Sequence, residues 1–204
     1  MSYDLTKFKH GLEELNITLT DEQIEQFLRY YEMLVEKNKV MNLTGITEYE
    51  EVIQKHFLDS LSLIRVIPDI ASQELTVIDL GTGAGFPGLP LKIAFPELEI
   101  TLMDSLNKRI LFLQEVINAL DLKKVSAVHG RAEEMASNAA HRQQYDLCVS
   151  RAVSNLAVLT EYCLPFVKKG GLFVSYKSAD SDTEIQEGKK AISILGGKLT
   201  SIDK

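Results

Sequence analysis

The strongest constraint on this chain is a short apolar run that breaks into glycines, LTVIDLGTGAGFPG at residues 75–88. Leu75, Val77, Ile78 and Leu80 read as a strand, β-branched at its centre, with Asp79 near its C-terminal end. Gly81, Gly83 and Gly85 then alternate through a tight turn, and Pro87 opens an apolar helix. A strand that runs through glycines into a helix is the first unit of a parallel α/β sheet. Such sheets bind ligands at the carboxyl ends of their strands. Glycine suits the turn because it accepts positive φ and lets the backbone come close to a ligand.

Residues 83–88, GAGFPG, form a literal G-x-G-x-x-G, so a dinucleotide has to be weighed. The register is wrong for one: counted from Gly81, the sixth position is Phe86. Asp79 would also repel a pyrophosphate, whereas it would attract a cationic or zwitterionic ligand. S-adenosylmethionine, with a sulfonium, an ammonium and no phosphate, fits that charge pattern better. Asp104, ending the next candidate strand, is placed to bond ribose hydroxyls, which suits both ligand types. The bland alternative is a turn that only connects strand to helix.

The 204 residues suffice for one α/β domain with a small helical extension, and 45% apolar residues make a buried core feasible. Cys148 and Cys163 sit in apolar runs without a spacing motif, as reduced core residues of a cytoplasmic protein would. The N-terminus has no apolar signal region and no run approaches transmembrane length, so no membrane partner is expected. The net charge of −7 argues against a general nucleic-acid coat but permits a local basic face. His10, His56, His129 and His141 are scattered without zinc-like spacing, so no metal is expected.

Residues 1–66 read as a helical extension packed on the core, and 67–204 as the main domain. Leu5, Phe8, Leu12 and Leu15 share a helical face, and Thr20-x-x-Gln23 resembles a capping box opening a second helix. That helix carries an apolar stripe of Ile24, Phe27, Leu28, Tyr31, Leu34 and Val35. NKVMNLTG at 38–45 is a turn-rich break, after which Thr47-x-x-Glu50 is expected to cap a third helix. His56 and Asp59 lie on that helix near its apolar face, where a lone histidine reads as structural. Candidate strands follow at 75–80, 99–104, 125–129, 145–150, 172–177 and, weakly, 198–203. Candidate helices lie between them at 87–94, 107–120, 131–138, 155–167 and 182–195. The alternation implies a parallel sheet with helices on both faces, and KKGG at 168–171 reads as a helix stop.

Several segments together resemble one bacterial family: MNLTGIT (41–47), HFLDSL (56–61), VIDLGTGAGFPGLPL (77–91), LMDSLNKRILFL (102–113), GRAEE (130–134), VSRAV (149–153) and GGLFVSYK (170–177). It is the small-subunit ribosomal RNA guanine-N7 methyltransferase G family, also called glucose-inhibited division protein B. The resemblance covers roughly residues 35–177. It implies a Rossmann-like class I S-adenosylmethionine-dependent methyltransferase fold. Sheets of that class usually finish with a hairpin, for which 198–204 offers no partner, so the expectation is a truncated chain or a sheet one strand short. Carried over position by position, the resemblance puts the cofactor's methionine end near Gly81, Gly83 and Phe86, and its ribose at Asp104. Ala132 and Glu133 would border the adenine, and Arg151 would contact the cofactor and face RNA. The bland readings are a solvated first helical turn at Glu133 and Glu134 and a surface ion pair at Arg151.

The implied acceptor, guanine-N7, carries a free lone pair, so its methylation needs no base. No catalytic dyad stands out in the chain, which is consistent with that. The place after the fourth strand reads Ser150-Arg151-Ala152-Val153-Ser154, unlike the Asn-Pro-Pro-Tyr kind of motif that amino-group methylation usually calls for. Lys108, Arg109, Arg131, Arg151 and Lys177 fall at or just beyond strand ends and are candidates to meet RNA phosphates. Phe86 is a candidate to meet the cofactor or an unstacked base. The expected partner of a monomeric enzyme is small-subunit ribosomal RNA or the assembling subunit. Competing readings are a methyltransferase for a small molecule or protein, and a nucleotide-binding regulatory module.

Overall fold

The computed structural model describes residues 3–151, 154–178 and 181–203. The chain starts in helices α1 (Thr6–Glu14) and α2 (Asp21–Met41). The Thr20–Gln23 capping box is formed in full, each side chain bonding the other's backbone N–H. The third helical segment differs from expectation at its start. α3 (Tyr49–Val52) has Glu48 at its N-cap with no side-chain cap, and Glu50 instead pairs with Lys7 at 2.5 Å. It continues through a π-helical turn (Ile53–Leu58), α4 (Asp59–Leu61) and a 3-10 turn (Ser62–Arg65).

Five strands follow, β1 (Thr76–Leu80), β2 (Glu99–Asp104), β3 (Val125–His129), β4 (Tyr145–Arg151) and β5 (Val167–Tyr176). Between and after them lie α5 (Gly88–Ala94), α6 (Asn107–Ala119), α7 (Ala132–Met135), α8 (Leu156–Cys163) and α9 (Asp182–Ile194). The sheet order is β3-β2-β1-β4-β5 and every pairing is parallel. The order reverses between β1 and β4, which makes the top of that pair the topological switch point. Side-chain alternation divides the sheet into two faces. Val77, Ile100, Leu102, Leu147 and Val149 join a core with Phe8, Phe27, Tyr30, Phe57, Leu89 and Phe112, so the N-terminal helices and the sheet share one interior. Ile78, Leu80, Met103 and Cys148 face the opposite layer with Leu159, Cys163 and Phe166.

Three expectations are corrected. The 168–171 KKGG segment is not a helix stop: it lies inside β5, which starts at Val167. The β4–β5 register jumps from Tyr145↔Val167 to Leu147↔Leu172, so these residues form a bulge. Gly170 has φ +86°, and a Cβ on Gly171 would lie 2.6 Å from the Asp146 carbonyl, so both positions need glycine. The helix expected over 155–167 gives way to a 3-10 turn at Leu164–Phe166, where Pro165 has no N–H to continue it. Residues 198–203 form no strand. Both cysteines are free and buried, and burial pushes the Cys148 thiol well up.

Candidate functional site

The glycine turn leaves β1 pinned to the top of β2, because Gly81 N and Thr82 N both donate to Met103 O, at 2.9 and 3.1 Å. Gly81, Gly83 and Gly85 all have positive φ, at 72°, 63° and 109°. Two of them serve different ends. A Cβ on Gly83 would meet nothing nearer than Gly81 O at 4.0 Å, so space is open above it. A Cβ on Gly85 would run into Leu89 Cδ1 at 2.4 Å and Tyr30 Oη at 2.8 Å, so that glycine permits packing.

Asp79 does not stand open at this notch as its sequence position implied. It is fully buried, and its Oδ2 accepts from Thr82 Oγ1 at 2.6 Å and from Gly88 N at 2.8 Å. Its Oδ1 has no partner among the described residues. Burial raises this carboxyl to about 6, against the lowering influence of those two bonds and of Arg151. The acid that accepts a backbone N–H from the glycine loop is Asp104. Its Oδ2 accepts from Gly83 N at 2.9 Å and Arg109 Nη1 at 3.1 Å, and its Oδ1 from Leu106 N at 2.9 Å.

At the top of β4, Arg151 is no surface ion pair. Its side chain is 14% exposed, and Nη1 donates to Asp59 Oδ2 at 2.7 Å and Lys55 O at 3.1 Å. Nη2 lies 3.2 Å from His56 Nδ1, and the guanidinium carbon sits 5.0 Å from the centre of the Phe86 ring. His56 Nδ1 also lies 3.1 Å from Lys55 O, a contact that would need an Nδ1–H. Because Lys55 O already accepts from Arg151 Nη1 and the positive guanidinium only donates, we assign Nδ1 as the acceptor and the proton to Nε2. Nε2–H then donates to Thr44 Oγ1 at 2.8 Å, whose other lone pair takes Ile46 N at 3.1 Å. Asn38 brackets Thr44 in turn, accepting from Thr44 N and donating to Thr44 O. Burial, reinforced by the Arg151 charge, lowers His56 to about 4 and keeps it neutral.

Sequence reasoning read His56 as an isolated structural residue and left Asp59 without a role. Both lie in or next to the π-helical turn, whose unusual winding is a feature found often at functional sites. The spacing His56-x-x-Asp59 was visible, but its partner, 92 residues beyond Asp59, was not.

Phe86 offers little free surface at 6% exposure. His56 stacks on it at 4.4 Å, and Tyr30 lies 5.4 Å away. Tyr30 Oη also donates to Ala84 O at 2.6 Å, tying the N-terminal layer to the glycine turn. Ser150 Oγ donates to Leu80 O at 2.7 Å and closes the seam between β4 and β1. The structure thus gathers Gly81, Gly83, Phe86, Asp104, Arg109 and Arg151 at the switch point. Ala132 and Glu133 form the first turn of α7 after β3, where Glu133 is exposed and 3.9 Å from Arg131. Lys108 and Arg131 are exposed, whereas Arg109 is paired with Asp104. Lys177 is tied inward, donating to Ser154 O and, at 2.6 Å, to Glu184. Ala152 and Val153, in the quoted 149–153 segment, lie outside the described residues.

Among the described residues no group of histidine, cysteine and acidic side chains could hold a metal ion, and no helix is long and apolar enough to cross a membrane. The family model GidB, rRNA small subunit methyltransferase G, matches residues 23–204. The chain is 58% identical over 196 residues to the ribosomal RNA small subunit methyltransferase G of Lachnoclostridium phytofermentans, covering 96% of this chain and 80% of the relative. It is 54% identical over 191 residues to that of Alkaliphilus metalliredigens, covering 94% and 79%. Among solved structures, TYW2 of M. jannaschii in complex with AdoMet superposes with a TM-score of 0.54 at 16% identity, over 68% of this chain and 64% of that one. TYW2 of P. horikoshii in complex with MeSAdo gives 0.51 at 14% identity, over 61% and 48%. The fold is the Rossmann-like class I methyltransferase fold that the sequence resemblance implied. With most of its length matched by one family model and more than half its residues shared with curated relatives, the chain belongs to the rRNA small subunit methyltransferase G (GidB) family.

Proposed function

We propose that this protein transfers a methyl group from S-adenosylmethionine to N7 of a guanine in small-subunit ribosomal RNA. The observation that carries the cofactor half is the glycine turn: open space lies over Gly83, whose amide is held by the buried Asp104 carboxylate. Asp104 would bond the ribose, the backbone at Gly81 and Gly83 would line the methionine end, and Ala132 and Glu133 would border the adenine. When bound, the cofactor supplies an electrophilic methyl on a sulfonium. Family membership and the names of the relatives support the ribosomal RNA half.

N7 of guanine presents a lone pair, so the chain needs no proton acceptor. The site matches that demand: His56 has Nδ1 engaged by Arg151 and Nε2 protonated toward Thr44, leaving no lone pair for base catalysis. What remains for the residues is to hold the base in line, and positioning alone can lower a barrier by several kcal/mol, up to roughly 7–11. Positive charge appears on the methylated base as the sulfonium loses it, so a carboxylate at the notch such as Asp104 would help rather than hinder. Exposed Lys108 and Arg131 would meet phosphates, in a chain whose net charge of −7 disfavours indiscriminate RNA binding. Folded ribosomal RNA or the assembling subunit is the substrate this favours. The test compares ribosomal RNA from cells with and without the gene by chemical cleavage at 7-methylguanine. One cleavage site should vanish with the gene, and an unchanged pattern would refute the assignment.

A further inference from the structure

We propose that His56 is a positioning residue, holding the Arg151 guanidinium at the mouth of the β1–β4 crevice through its unprotonated Nδ1. This deepens the reading of Arg151 as a residue that faces the cofactor and RNA, and rests on it. Among the described residues Arg151 has three oxygen or nitrogen partners, and all belong to the helical segment at the π turn: Lys55 O, Asp59 and His56. Asp59 and Lys55 share one nitrogen, Nη1, whereas His56 is the partner given to Nη2. With only Nη1 held, the guanidinium plane could pivot about that end; the imidazole fixes the second. The imidazole is itself fixed, its ring stacked on Phe86 and its Nε2–H bonded to Thr44, which Asn38 holds by two further bonds. The chain Asn38–Thr44–His56–Arg151–Asp59 therefore links the C-terminal end of α2 and the loop after it to the end of β4. It gives Arg151 one orientation before any ligand arrives.

Two side-chain replacements separate the imidazole's two nitrogens. Asparagine places an oxygen about where Nδ1 lies, and glutamine reaches instead toward Nε2. His56→Asn should keep kcat on a ribosomal RNA substrate within about threefold of the parent. His56→Gln and His56→Ala should lower it by about 30- to 100-fold. Cofactor affinity by calorimetry should follow the same order, near the parent's in His56→Asn and weaker in the other two. In an Arg151→Ala background, His56→Ala should cost nothing further, since its action runs through that arginine. Equal losses in the asparagine and glutamine variants, or additive losses in the double variant, would overturn the proposal. A second readout does not depend on turnover: the Arg151 Nη protons should be resolved by NMR in the parent and in His56→Asn, and averaged in His56→Ala. Free rotation already present in the parent would also overturn it. A parent enzyme inactive on RNA would count against the functional assignment alone, because the NMR comparison still decides how Arg151 is held.

Discussion

The tops of β1 and β4 are neighbours in space, yet they are built in opposite ways. The turn after β1 is closed by its own segment and the end of the neighbouring strand: Thr82 and Gly88 bond Asp79, Gly85 N and Phe86 N return to Thr82 O, and Gly81, Thr82 and Gly83 bond the end of β2. The end of β4 has little of its own. Arg151 is held by residues 55, 56 and 59, which depend on residues 38 and 44. A local site announces itself as a contiguous motif, whereas an assembled one leaves fragments that look unrelated until the chain folds. The assembled site also depends on the N-terminal layer, which gives those helices a role at the crevice beyond covering the sheet.

The largest expected effect tests whether the β1 turn receives the ligand. Gly83→Val should weaken S-adenosylmethionine binding beyond about 1000-fold, about 4 kcal/mol. The new side chain would occupy the open space over the loop and strain a backbone at φ +63°. Near-normal affinity by calorimetry, in a variant that still unfolds cooperatively, would move the pocket away from this turn.

Acidity should divide the two regions. Asp79 ionises near 6 in the fold against 3.8 ordinarily, so the folded state holds the extra proton between those values. Its contribution to stability is fully present below pH 3.8 and is lost as pH rises through 6, by about 3 kcal/mol. Urea unfolding of the parent and Asp79→Asn at pH 4.5 and 7 should therefore show the stability difference shifting against the parent as pH rises. His56 runs the other way: its folded value of about 4 lies below 6.5, so its contribution is present above 6.5 and lost as pH falls through 4. The parent should accordingly lose ground to His56→Asn on acidification. Parallel behaviour of the two variants would erase the contrast.

The smallest effect concerns the bond from the N-terminal helices to the β1 turn. Tyr30→Phe removes the hydroxyl that donates to Ala84 O and leaves that buried carbonyl unpaired, at about 1–2 kcal/mol. If the turn is otherwise self-sufficient, the variant should lose thermal stability while binding the cofactor within a few-fold of the parent. A large loss of affinity would show that the N-terminal helices shape the β1 turn as they shape the end of β4.

Much of the fold could be read from the chain because its signals are short-range. The Thr20–Gln23 capping box, the short β-branched apolar run of β1, and the glycines after Leu80 each act within a few residues. The bulge at Lys168–Gly171 was misread because a Gly-Gly pair after lysines marks helix ends and strand bulges alike. Its meaning is set by Asp146 across the β4–β5 pair, where Lys168 Nζ reaches Oδ1 at 2.8 Å. Asp79 was read as an exposed charge because a sequence shows an acid at a strand end but not the helix N–H it turns back to bond.

The sequence by itself determined the α/β alternation, the glycine turn, the carboxylate of Asp104 at the next strand end, and the family to which these motifs belong. Only the tertiary structure decided that Asp79 is sealed, that Phe86 is packed rather than open, and that His56 and Asp59 hold Arg151. The division has a physical cause. Backbone conformation and helix capping are settled between near neighbours in the chain, but burial and the pairing of a charge depend on which distant side chains share its space.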